Sequence, residues 1–222
     1  MMDPSVRSFL RMRDVVLASS AASRYQHALN RIQLQKFLYL VDAITFLFDI
    51  APPREAHRTY KHGPFDAAIQ NAVDCLTFRG LASVKGVSRQ ADGTTTAFYE
   101  LTNAGKAWAK DLRIDVATAT RWQATQLVAE RAAHGLGWPR LRDLVYAEPT
   151  YVAARPNGWG QYLHPEDTRS TSTALLLRTV ESLLPSRAGQ PIHRDLLIDL
   201  YFDFLESAAE SLRLQAPEVE IR

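Results

Sequence analysis

Tyr60-Lys61-His62-Gly63-Pro64-Phe65-Asp66 opens the stretch that decides how this chain folds, and Tyr99-Glu100-Leu101-Thr102 closes it. Gly63-Pro64 punctuates the entry to a helix. Asp66 suits the N-cap, where a carboxylate accepts from the unpaired backbone N–H groups of the first turn. Ile69, Ala72, Val73 and Leu76 then recur at the spacing of one helical face, and Gly80 supplies a residue that tolerates the left-handed conformation ending a helix. Residues 81–87 and 94–101 are rich in β-branched and aromatic side chains. Ala91-Asp92-Gly93 between them predicts the turn of an antiparallel hairpin.

A capped helix followed directly by a hairpin predicts a winged helix. Upstream, Phe9, Leu10, Val15, Val16 and Leu17 alternate with Arg7, Arg11 and Arg13, which predicts a short amphipathic helix with a cationic face. Ile32, Leu34, Phe37, Leu38, Val41, Ile44 and Phe48 predict a strongly buried second helix, stopped by Pro52-Pro53. The connector that follows sets Arg54, His57, Arg58, Lys61 and His62 against a single Glu55, and both histidines read as solvated turn residues. Downstream, helices are expected over 118–133, 170–184 and 192–214, with a loop at 156–160. In the last helix, Leu196, Leu197, Leu200, Tyr201, Phe204, Leu205 and Leu212 predict a buried face, and Asp195, Asp199, Asp203, Glu206 and Glu210 an exposed acidic one. The expected architecture is mainly α with a small β-hairpin. An N-terminal winged helix-turn-helix-like domain fills residues 1–112, and a helical extension over 113–222 packs on it.

Leu34-Gln35-Lys36-Phe37-Leu38-Tyr39-Leu40, the Tyr60-to-Phe65 turn, Phe78-Arg79-Gly80-Leu81 and Tyr99-Glu100-Leu101-Thr102-Asn103-Ala104-Gly105-Lys106 together resemble the Panacea (SocA-like antitoxin) group of bacterial winged-helix proteins. The resemblance covers roughly residues 30–112, and residues 141–151 are similar to a segment that follows the winged helix in proteins of this type. Its motifs are structural, with Thr102 in the place of a residue that caps the helix after the wing. The resemblance implies association with toxin–antitoxin or phage-defence gene clusters, either as a neutralising partner or as a DNA-linked regulator.

Composition bounds the remaining readings. With 222 residues, 46% hydrophobic and 23% charged, the chain has the make-up of a globular protein. It holds no run of 18 apolar residues, and its Met-Met-Asp-Pro start lacks the order of a signal peptide, so a cytoplasmic location without membrane contact is expected. Cys75 has no second cysteine to pair with and reads as a small buried thiol. Residues 1–89 hold 12 Lys and Arg against 7 Asp and Glu, whereas the remainder holds 14 against 17, so the N-terminal part is mildly basic. His27, His57, His62, His134, His164 and His193 form no HExxH motif and no zinc-spaced pair. No phosphate-binding or nucleophile motif occurs, and His164-Pro165-Glu166-Asp167 lacks further ligands. No enzyme activity, catalytic residue, cofactor or metal is therefore expected.

Two roles follow. As a DNA reader, the chain would use Gln70 and Asn71 on base edges, with Arg79, the wing cations Lys85 and Arg89, and the connector cations Arg54, Arg58 and Lys61 on phosphates; a homo-oligomer would double these contacts. Asp66 and Asp74 weigh against that role. As an interaction module, it would hold a toxin, nuclease or ATPase of the same operon through the C-terminal helices, with Trp138, Trp159 and Tyr162 as anchors. The interaction role is the principal expectation.

Overall fold

The computed structural model describes residues 3–51, 56–89, 93, 95–135, 137–164, 168–184 and 194–215. Arg54, the Asp92 turn residue, the Pro165-Glu166-Asp167 segment and His193 lie outside the described residues.

The chain is mainly helical with one small three-stranded antiparallel sheet. Helix α1 (Pro4–Ser23) begins at Asp3, whose carboxylate accepts from Ser5 N at 2.8 Å, with Pro4 in the first turn. Strand β1 (Leu29–Asn30) leads straight into α2 (Arg31–Ile44). There Asn30 accepts from Gln33 N at 2.8 Å, and Asn30 N donates to the Gln33 side chain at 3.1 Å, a reciprocal capping box. Helix α3 (Ala67–Phe78) is capped by Asp66, which accepts from Ala68 N at 2.9 Å, and Gly80 beyond its end takes φ +69°.

Strands β2 (Ala82–Arg89) and β3 (Thr95–Leu101) pair antiparallel from Ala82↔Leu101 to Arg89↔Thr95, with a bulge between Val84 and Gly86. Strand β1 joins on the other side of β3 through Leu29↔Tyr99 and Asn30↔Phe98, giving the order β1-β3-β2. Helix α4 (Asn103–Ile114) starts at Thr102, whose hydroxyl accepts from Gly105 N at 3.2 Å and donates to the Gly80 carbonyl at 2.7 Å. A side chain at Gly105 would strike the Leu81 carbonyl oxygen, so the starts of β2 and α4 meet only because this residue has no Cβ.

The second half continues as α5 (Val116–His134), α6 (Leu141–Ala147), α7 (Pro149–Ala154), α8 (Ser172–Leu183) and α9 (Arg194–Gln215). Helix α5 packs on α1 and α2, α6 packs on α2, and α9 packs on α6. One apolar core therefore runs through both halves, from Val16, Phe37 and Leu76 to Trp122, Val145 and Leu205. Helix α2 is its axis: every residue from Leu34 to Ile44 is buried, Gln35, Lys36 and Asp42 included. Two expectations change at this level. Ile32 belongs to no buried stripe, being 60% exposed, and α1 does not turn all its cations to solvent, since Arg11 is fully buried. No helix among the described residues is long and apolar enough to cross a membrane.

Candidate functional site

Arg11 sits where α1, α2, α3 and α5 converge, and five charged groups meet there out of contact with water. Its Nε donates to Asp66 Oδ2 at 2.8 Å, Nη1 to Asp14 Oδ2 at 3.0 Å and Nη2 to Asp42 Oδ2 at 2.8 Å. From α5, Arg121 closes the cluster with Nη2 on Asp14 Oδ2 at 3.0 Å and Nε on Asp14 Oδ1 at 3.2 Å; its Nη2 also reaches Asp42. At the margin, Arg7 donates to Asp66 at 2.9 Å and Arg13 to Asp14 at 3.2 Å. Burial pushes the Asp42 carboxyl up, but Arg11 and Arg121 outweigh it and hold Asp42 well below the usual carboxylate range. Asp66 is lowered in the same way, with Arg11 as the chief force opposing burial. Gln35 of α2 exchanges two 2.8 Å hydrogen bonds with the Asp66 backbone, which fixes the start of α3 on α2.

A second buried knot forms around Glu148, the N-cap of α7, which accepts from Tyr151 N at 2.8 Å. Tyr39 of α2 and Thr173 of α8 also donate to its carboxylate, and the Tyr201 hydroxyl of α9 lies 3.4 Å away. Burial, then the Glu148 charge, pushes both tyrosines well above the ordinary phenol range. His57 and His164 stand between the two knots, with ring centroids 5.2 and 5.4 Å from Tyr39 and 5.9 Å from each other. His57 is not the solvated turn residue the sequence suggests: it is fully buried, and its Nε2 lies 3.3 Å from Asp42 Oδ2. Burial drives both imidazoles toward the neutral form, His164 down to about 3. The knots join elements from both halves of the chain, and their chemistry is that of a fastening: charges neutralised in place and out of reach of solvent.

Lys36 is a further buried titratable group, apart from the two knots. Its nitrogen donates to the His62 carbonyl and lies 5.8 Å from the Tyr146 ring centroid, and burial together with the Arg142 charge pushes it down to about 7. It ties α2 to the turn at Gly63, where φ is +95° and a Cβ would meet this amine. Among the described residues, no group of three His, Cys, Asp or Glu is placed to hold a metal.

The surface residues singled out for DNA are dispersed, and several are engaged within the chain. Gln70 and Asn71 lie on the outer side of α3. Arg31 pairs with Asp74, donates to the Tyr99 hydroxyl at 2.9 Å and, with the Gln70 amide oxygen turned toward it, to Gln70 at 3.1 Å. Lys85 lies 3.6 Å from Glu100 across the hairpin. Arg58 stacks on the Tyr162 ring at 4.1 Å and donates to its hydroxyl. Lys61, Arg79 and Arg89 are exposed. Of the three aromatic anchors, Trp138 is 7% exposed and stacks on His27 at 4.6 Å, so it is a core residue and offers no free face. Trp159 is 58% exposed, in a loop pinned to the connector by Thr59 N on Gln161 O at 2.8 Å and Leu163 N on His57 O at 3.0 Å.

The C-terminal helices carry the feature that the sequence reading misplaced. On α9 the buried side chains are Leu197, Ile198, Tyr201, Phe202, Leu205 and Ala209, while Phe204 and Leu212, read as part of the buried face, are 42% and 47% exposed. With Ser207, Ala208, Ser211 and Gln215 they form one stripe along α9, spaced at three and four residues. Facing them are Pro149, Val152 and Ala153 of α7. Together with Ala147 and Ser172 these residues enclose an open trough of about 680 Å³, and none of the lining residues is charged. Asp203 and Glu210, next to Phe204 and Ser211, put exposed carboxylates beside it. Compared with known proteins, the chain matches no family model, and no curated protein matches it.

Proposed function

We propose that the chain is a non-enzymatic, winged-helix interaction protein of the Panacea type, a component of a bacterial toxin–antitoxin or phage-defence system that holds its protein partner along the trough between α7 and α9. The observation that carries this reading is the trough itself: an uncharged channel of about 680 Å³ on the surface, walled by half-exposed Val152, Phe204 and Leu212. Exposed apolar surface of this kind marks a binding face, and a helix laid in a groove is one recurring way to cover one. The exposed carboxylate of Asp203 favours a partner helix with an apolar stripe and a cationic flank, whereas Glu210 already lies 3.9 Å from Arg140. The element order α1-β1-α2-α3-β2-β3 and the sheet order β1-β3-β2 support the winged-helix assignment.

Co-expression with the products of the adjacent genes tests the proposal. One of them is expected to co-purify with the wild-type chain and with Gln70→Ala, and to be lost with Ala208→Glu, which places a charge on the trough floor. Retention by Ala208→Glu contradicts it.

The second reading, DNA binding, has one observation in its favour: Lys61, Arg79 and Arg89 are exposed cations without a carboxylate partner among the described residues. Three such groups give a shallow salt dependence, because each neutralised phosphate contributes about one unit of slope. Anisotropy of the chain's own upstream duplex against a scrambled one, at two salt concentrations, decides this reading. Preferential, salt-sensitive binding supports it, and equal or absent binding removes it.

A further inference from the structure

Two segments far apart in the sequence, 58–62 and 155–162, are laced into one surface plate. Thr59 N donates to Gln161 O at 2.8 Å, Gly160 N to Thr59 O at 2.9 Å, and the Thr59 hydroxyl to Gly158 O at 2.8 Å. Arg58 and Tyr162 face each other as an antiparallel bridge. Alternation along this extended backbone sorts the side chains: His57 and Thr59 are buried, whereas Arg58 and Tyr60 point to solvent. Every residue of 155–162 is exposed as well. The backbone pairing gives these outward side chains a common frame.

Three rings stand on the plate, Tyr60, Trp159 and Tyr162, between 41% and 58% exposed. Arg58 lies over the Tyr162 ring, 4.1 Å from its centroid, so guanidinium and ring make one flat stack. Lys61 and Arg155 add two further exposed cations, and neither segment contains an Asp or Glu. The flanking Glu55 and Glu166 lie outside the described residues. This mixture separates the classes of partner. An apolar protein face would leave the cations unmatched, and a duplex keeps its base faces inside its own stack. A single strand matches both features, because its bases present π faces to rings and its phosphates follow at every step. We propose that this plate binds single-stranded nucleic acid, with bases stacked on Tyr60, Trp159 and Tyr162 and phosphates on Arg58, Lys61 and Arg155. The plate shares no residue with the trough, so this binding is independent of the partner role.

Fluorescence anisotropy of labelled oligo-dT and oligo-U, each of about twelve nucleotides, titrated with the full chain tests the proposal. Saturable binding of a single strand, tighter than that of a duplex of equal length, is expected, and the tighter of the two strands tells DNA from RNA. Log affinity is expected to fall with log salt at a slope near −2, since each phosphate neutralised on a single strand contributes about 0.7. Trp159→Ala is expected to weaken binding about five- to a hundredfold, the effect of losing one base–aromatic stack, and Trp159→Phe to retain most of it. Lys61→Gln is expected to make the salt slope shallower by about 0.7, while Lys110→Gln, an equal loss of charge on the exposed side of α4, leaves affinity unchanged. The proposal is overturned if neither strand binds, if the duplex binds as tightly as the strand, or if Trp159→Ala keeps wild-type affinity. A polyglutamate peptide that competes as well as unlabelled oligo-dT also overturns it, because the plate would then read negative charge alone.

Discussion

At the scale of single residues, the two buried cations Arg11 and Arg121 set the strongest constraints. Each is held by Asp14 of α1 and Asp42 of α2, so removing one carboxylate leaves a charge in a place water cannot reach. Asp42→Asn is expected to cost about 3–5 kcal/mol, measured by urea unfolding, because both guanidiniums lose a partner at once. Lys85→Gln, which opens only the exposed pair with Glu100, is expected to cost less than about 1 kcal/mol. Titration adds a second check. Asp42 and Asp66 have folded-state pKa values below their unfolded ones, so their contribution is present above about pH 4 and fades as the pH falls through the folded values. His57 and His164 act in the same direction at higher pH: the unfolded chain takes up their protons below about pH 6.5, while the folded His164 resists until about 3. Lys36 extends the trend upward. Its folded pKa of about 7 lies below the unfolded value of about 10.4, so the unfolded chain binds the extra proton and stability rises with pH between the two. Thermal unfolding is expected to show Tm climbing from pH 7 toward 10 in the wild type, with a flatter climb in Lys36→Met. An equal slope in both contradicts the assignment. Little of this was legible in the sequence, because Arg11 stands among Arg7 and Arg13 and meets residues 31 and 55 positions away. The signal that was present is Asp42, the lone charge in the apolar run of residues 37–44, which needs a buried partner.

At the scale of elements, what is local was readable. The Asp66 cap and the Gly80 stop are properties of a few consecutive residues, and they sit at the ends of α3 where the sequence puts them. Strand β1 escaped because two residues, Leu29 and Asn30, become a strand only by pairing with β3, far along the chain. The stripe on α9 was legible as a period but not as a face. Three- and four-residue spacing identifies apolar rows, and only the docking of α6 and α8 decides which row is covered. Junctions give the prediction at this scale. Gly105→Ala drives a Cβ into the Leu81 carbonyl where β2, β3 and α4 meet, and is expected to cost about 1–3 kcal/mol by the same unfolding assay. Asn30→Ala, which removes one capping box, is expected to cost about 1 kcal/mol. If Gly105→Ala is neutral, the close approach at Leu81 does not constrain the chain.

At the scale of the whole molecule, the halves on either side of residue 112 are joined by the core and by both buried knots: Arg121 reaches back to Asp14 and Asp42, and Glu148 gathers Tyr39 with Thr173. Urea unfolding followed by far-ultraviolet circular dichroism and by tryptophan emission is therefore expected to give one coincident transition. Two separated transitions would mean that the knots do not couple the halves. With the interior so fastened, the surface is left to carry function, and the apolar feature proposed to carry it is the trough between α7 and α9. The most direct test of that assignment is amide hydrogen exchange across the chain, alone and mixed with the co-purifying product of an adjacent gene. Slowed exchange confined to α7 and α9 is the predicted result. Slowed exchange at α3 and the β2–β3 hairpin, with α7 and α9 unchanged, would contradict the assignment.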